Sequence, residues 1–351
     1  MTTSSPTLAP ASRDTDDRLA RWGSLRRMLS RPELGSVAGA IAVFGIFSVI
    51  SGSDGFLSSD GTANYLNTAA ELGILAIPVA LLMVAGEFDL SIGSVLGASS
   101  ITVALIAGQY HQPLWLAVVA AVALSGLIGL LNGVIVMRTK LPSFIVTLAT
   151  QFIVRGVTIG LTAYITGTTA ISGVGAASGY TAFYDILGSN YRNFQVSILW
   201  WLALAALASW ILFGTRFGNW TFGAGGAPEA ARNVGVPVDR VKTILFIATA
   251  LAGCLVGVTQ TVSFGGADVL RGTNTEFEAI IAVVIGGTLL TGGYGSAIGA
   301  VFGALIFGMV QLGIVFTGVN ANWYQAFLGL MLIIAVLVNN YIRHKAAEER
   351  R

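Results

Sequence analysis

The chain has 351 residues, of which 54% are hydrophobic and only 10% charged, with a mean hydropathy of +0.77. That composition exceeds what a soluble domain tolerates and places the protein among polytopic membrane proteins. A formal net charge of +2 argues for no nucleic-acid partner, and the surroundings to which the chain is fitted are membrane lipid.

In chain order, residues 1–33 are polar and mixed in charge and read as a largely disordered cytoplasmic tail. The first apolar run exceeds the roughly 7–15 residues of a signal-peptide core and reads as a retained helix. With about 20 apolar residues needed per helical span, ten segments qualify, near 34–51, 68–85, 92–108, 114–136, 143–163, 195–213, 244–262, 277–290, 297–316 and 323–341. The eighth is short. Runs of this kind are helices, because a chain in hydrocarbon must satisfy its own backbone hydrogen bonds. None alternates every second residue as a lipid-facing barrel strand would. The expected fold is all-α, with a membrane domain over 34–341 and a short tail over 342–351.

Orientation follows from the basic residues, which favour cytoplasmic loops. Sixteen of the nineteen lie in the amino-terminal tail, the 137–142 loop, the 214–243 loop or the carboxy-terminal tail. Ten spans with both ends cytoplasmic put all four clusters inside. A count of nine or eleven would place one of them outside.

Directly after the apolar run 72–85 comes Gly86-Glu87-Phe88-Asp89-Leu90-Ser91-Ile92-Gly93-Ser94. Two carboxylates and a glycine-rich break are costly at membrane depth and invite a functional reading. Glu87, Asp89 and Ser91 are pathway or gating candidates, and Asp89 or Ser91 equally suits capping of the helix that follows. Asn67, Asn132, Thr147, Thr150, Gln151, Gln260 and Gln311 lie within or beside spans, where each either lines a pathway or bonds a neighbouring helix. Arg155, well inside a span, requires a partner, and Glu71, Glu87 and Asp89 are the candidates.

The outer stretch 164–193 is too polar to span and too long for a tight turn, and reads as a docking segment or a linker. In the 214–243 loop, Pro228 suits a first helical position, Glu229 the positive helix end, and Gly235 with Pro237 a stop. The result is a helix of about two turns, either a connector or a knob that docks on a cytosolic partner.

Glycine stripes such as Gly126, Gly129 and Gly133, or Gly299, Gly303 and Gly308, read as close helix packing. Gly93 to Ala98 echoes Gly295 to Ala300, each opening a span from the inner side. Catalytic chemistry is poorly represented. His111 and His344 have no companion ligands, so no metal site is expected. The lysines Lys140, Lys242 and Lys345 follow Thr, Val and His, which excludes a Walker A loop. Cys254 reads as a small packing residue within a span.

Three blocks together resemble the inner-membrane permeases of ATP-binding-cassette importers for ribose, xylose, galactose and related monosaccharides. They are Gly86 to Ser94; Asn132-Gly133 through Leu141-Pro142-Ser143-Phe144-Ile145-Val146-Thr147-Leu148; and Ile285-Gly286-Gly287-Thr288 through Gly292-Gly293-Tyr294-Gly295-Ser296. One departure is Glu87, which stands where the family block has a second glycine; it leaves the substrate open. The resemblance implies a bacterial cytoplasmic-membrane permease subunit with no cofactor of its own and no enzymatic activity. It implies three partners: a cytosolic ATPase, an extracytoplasmic sugar-binding protein, and a second permease copy or a homologous permease. It makes Pro228, Glu229, Ala230, Ala231, Arg232 and Gly235 the coupling segment. It also implies alternating access. The alternative is a proton-coupled secondary sugar transporter with Glu87 and Asp89 as the relay.

Overall fold

The computed structural model describes residues 32–320 and 323–348; of the tail expected over 1–33, residues 1–31 lie outside them and 32–33 belong to the first helix. The described residues are almost wholly helical. Long helices occur at α1 (Pro32–Ser51), α2 (Ser59–Val84), α3 (Ile92–Val103, continued by a π-turn to Gln109), α4 (Leu114–Thr139) and α5 (Ser143–Thr166). After an outer loop come α6 (Ser197–Gly214), α7 (Arg216–Gly226), α8 (Pro228–Asn233) and α9 (Val238–Phe264). The chain continues through α10 (Thr275–Ile285), α11 (Ala297–Phe316) and α12 (Tyr324–Glu348).

Eight of the described helices are long and apolar enough to cross a membrane. α2, α3, α9 and α11 form the buried centre, while α1, α5 and α6 expose most of their surface. α9 lies along α4 and α3, and α11 lies along α2 and α1. Small residues allow these approaches. A Cβ on Gly133 would lie 2.8 Å from Thr243 Cα, and one on Gly303 would collide with the Ala282 carbonyl of α10. Gly126, by contrast, faces open space, so only part of its stripe is a packing seam.

Several expected boundaries move. α2 begins at Ser59, where Ser58 Oγ accepts from Gly61 N at 2.9 Å, rather than near 68. α9 begins at Val238 rather than near 244. Polar residues extend both helices beyond their apolar stretch, which hydropathy alone does not register. The eighth segment changes most: α10 stops at Ile285. Eleven residues rise only about 17 Å, roughly half of a bilayer core of about 30 Å. The following residues, 286–296, are irregular, because Gly287 has a φ of +89° and the chain turns there. Irregular backbone at this depth is tolerated when it is buried in protein, and Thr288 and Ser296 are buried.

The outer stretch is tethered rather than loose. β1 (Ala170–Ser172) pairs antiparallel with a strand at Gly266–Asp268, and Tyr180 Oη donates to Val262 O at 2.7 Å. Those bonds argue against the linker reading. At the other end, α12 continues past 341 to Glu348.

Candidate coupling and pathway site

α2 ends because Gly86 adopts a φ of +83°, a left-handed conformation that favours glycine. The break that follows is held by side chains. Asp89 Oδ1 accepts from Ser91 N at 2.9 Å and from Ser91 Oγ at 2.6 Å, and Oδ2 accepts from Thr249 Oγ1 of α9 at 2.5 Å. Ser91 Oγ in turn accepts from Asn132 Nδ2 of α4 at 2.9 Å. Asn132 Oδ1 accepts from Thr150 Oγ1 of α5 at 2.7 Å. On the other flank, Phe88 N donates to Ser143 Oγ and Leu90 N donates to Thr147 Oγ1, each at 3.0 Å.

The break therefore ties the start of α3 to α4, α5 and α9. Asp89, Ser91, Asn132 and Thr147 are 0% exposed; the first three are joined side chain to side chain, and Thr147 holds the main chain of the break. The polar atoms of an interrupted helix must find internal partners in a membrane, and here they do. Thr249 was not among the candidates. A threonine in an apolar run looks the same whether it pairs or merely packs.

Glu87 has its own partner: Lys242 Nζ stands 2.6 Å from its Oε1, with side chains 9% and 14% exposed for the lysine and glutamate. Lys242 lies in the second turn of α9, directly after the buried Val241. Arg155 therefore does not pair with Glu87, nor with Asp89 or Glu71. It donates to Thr273 Oγ1 at 2.8 Å and to Gly272 O at 3.2 Å. The cost of an unpaired charge called for a carboxylate, but Arg155 lies level with the turn before α10, where hydroxyl and carbonyl oxygens satisfy it.

The 214–243 loop holds two helices instead of one. α7, not anticipated, starts with Thr215 Oγ1 accepting from Gly218 N. α8 spans Pro228–Asn233, with proline in its first turn. Ala231 packs with Ala224 of α7 and Val238, so α8 rides on α7. Glu229, Ala230, Arg232 and Gly235 are exposed. Arg232 Nη2 reaches Asp239 Oδ1 at 2.7 Å, bracing the helix against the start of α9.

Nearer the outer side lies a cavity of about 270 Å³ lined by Thr68, Glu71, Gln260, Thr275, Glu278 and Gln311, among others. Gln260 Nε2 donates to Glu71 Oε2 at 2.7 Å. Gly272 lines this cavity while its carbonyl accepts from Arg155, and Gln151 of α5 donates to Glu276 of α10. The lining combines carboxylates, amides and hydroxyls with the apolar Leu72, Leu75, Leu96, Val256 and Phe307. Asn67 is elsewhere, donating to Asn193 O at 2.8 Å in the outer loop.

The family model described as branched-chain amino acid transport system / permease component matches residues 61–336. The chain is 31% identical to the ribose import permease protein of Escherichia coli strain K12 over 320 residues, covering 90% of this chain and 97% of that protein. It is 32% identical to the xylose/arabinose import permease protein of Sulfolobus acidocaldarius and 32% identical to the fructose import permease protein of Rhizobium meliloti. Each of those covers 86% of this chain and 83% of the relative. No solved structure matches the chain.

Proposed function

Because this chain belongs to the branched-chain amino acid transport system / permease component family, we propose that it is the membrane gate of an importer for a monosaccharide or related polyol. It is a transport subunit and not an enzyme, and it is a multi-pass protein of the cytoplasmic membrane. The family's description mentions amino acids, whereas these relatives, matched over more than four fifths of their length, are named for sugars. The sugar reading follows those relatives.

Power comes from a separate ATPase. Nucleotide binds the closed ATPase dimer better than the open one, and that difference in affinity biases the permease between outward-open and inward-open states. The observation that carries this reading is α8, a short helix presented to the cytosol and seated on α7, with Glu229 and Ala230 outward. It is the contact through which the ATPase acts. Above the membrane, an extracytoplasmic binding protein delivers the solute.

A second permease copy completes the route. Gln151 and Arg155 lie midway along α5, only half-buried, on a helix that this chain leaves largely uncovered. A cation facing hydrocarbon there would be costly. The second copy covers that face, and the solute passes between it and the Gly272–Thr275 turn. The test is uptake of a panel of labelled solutes by proteoliposomes holding the assembled permease, ATPase and binding protein. Accumulation of one or more monosaccharides or polyols is expected. Uptake of a branched-chain amino acid with no sugar uptake would contradict the reading.

A further inference from the structure

Three backbone segments far apart in sequence meet at the inner end of α2. Gly225 and Gly226 end α7, with one residue separating them from the first residue of α8. A Cβ on Gly225 would collide with Val84 O and lie 2.8 Å from Gly293 N. On Gly292 it would lie 2.8 Å from Gly86 Cα, and on Gly293 it would lie 2.7 Å from Gly226 Cα. Gly293 N donates to Val84 O at 2.8 Å. The end of α2, the end of α7 and the loop between α10 and α11 thus touch main chain to main chain.

The chain leaving α8 returns to the same place. Arg232 braces against Asp239 at 2.7 Å; a little farther on, Lys242 holds Glu87 at 2.6 Å. Both approaches to α8 therefore close on two adjacent residues, Gly86 and Glu87. Beyond Glu87, Phe88 to Ser91 are bonded to α4, α5 and α9.

Such a contact transmits displacement. Main chain packed on main chain has no rotamers with which to absorb a shift, and a close-packed interior passes strain onward. A largely buried ion pair resists separation, because breaking it strands a charge. We infer that Gly86–Glu87 is the point at which motion of α8 enters the membrane domain, through a glycine contact at Gly225–Gly226 and an ion pair from Lys242. Displacing α8 moves the α2–α3 break and the 286–296 loop together. The inference rests on the reading that a partner ATPase drives this chain through α8. It also gives Glu87, the residue that departs from the family block, a specific role.

The test measures solute imported per ATP hydrolysed by the complete complex in proteoliposomes. Glu87→Lys and Lys242→Glu are each expected to lower that ratio at least tenfold, with ATP hydrolysis within twofold of the unsubstituted complex. Combining the two substitutions is expected to restore at least half of the ratio. Where a charge-reversed chain fails to assemble, Glu87→Gln is read in the same way. An unchanged ratio in Glu87→Lys, or in Glu87→Gln where the charge-reversed chain fails to assemble, overturns the inference, as does hydrolysis that falls in step with uptake. Absence of ATP-driven uptake by the unsubstituted complex would instead strike at the functional reading.

Discussion

Asp89 has no solvent exposure, and its two oxygens accept three hydrogen bonds. Removing the carboxylate leaves Ser91 and Thr249 donors without their acceptor, and each hydrogen bond to a charged group is worth about 1.5–3 kcal/mol. Asp89→Ala is therefore expected to destabilise the purified chain by about 3 kcal/mol, seen as a lower unfolding midpoint in detergent. A midpoint equal to the unsubstituted chain's would show that the break does not need this carboxylate. Glu87→Ala is expected to cost about 3–5 kcal/mol by stranding Lys242 in a largely buried position, and adding Lys242→Met should recover much of the loss. The special character of the Gly86–Ser94 stretch was legible in the sequence, because carboxylates beside an apolar run stand out. Their partners were not. Lys242 begins an apolar segment among other basic residues and so reads as a charge of the inner membrane face; only the fold brings it to Glu87.

α8 was legible from Pro228, Glu229, Gly235 and Pro237, because helix start and stop signals are local. α7 was not, since Gly218, Gly223, Gly225 and Gly226 weaken its helical signature; it forms because α2, α6 and α9 pack around it. The same logic explains α10: hydropathy ran on through Leu289 and Leu290, but the Gly286–Gly287 turn ended the helix at Ile285. Two predictions concern these helices. Glu229→Arg, on the exposed face of α8, is expected to leave membrane insertion intact while lowering uptake at least tenfold with ATP hydrolysis retained. Unimpaired uptake would remove the coupling role from α8. Gly303→Leu is expected to abolish recovery of the folded chain, since even a Cβ there collides with the Ala282 carbonyl; a normal yield and unfolding midpoint would show that the α10–α11 contact can yield.

The ten-segment topology assigned from charge and length corresponds to eight full-length apolar helices, the half-length α10 and the last helix α12 among the described residues. Gly86–Ser91, the α4–α5 turn, α7–α8 and 286–296 then share one side, the one to which the basic residues assign the cytoplasm. What sequence could not supply is the face of α5 that stays uncovered, because burial is a property of the assembled fold. Cys254 is buried, so Cys254→Ser provides a background for labelling. In that background, Arg155→Cys in the assembled complex is expected to react with a water-soluble maleimide, while a cysteine at the exposed Val119 on α4 stays unreactive. Equal inertness at both positions would move the route off α5. The most direct measurement concerns the source of energy: accumulation of a labelled monosaccharide in proteoliposomes containing this chain, with and without its ATPase, under ATP or under a proton gradient. Accumulation only when the ATPase and ATP are both present, undiminished by a protonophore, is the expected result. Accumulation by this chain alone, driven by the proton gradient and abolished by the protonophore, would contradict it.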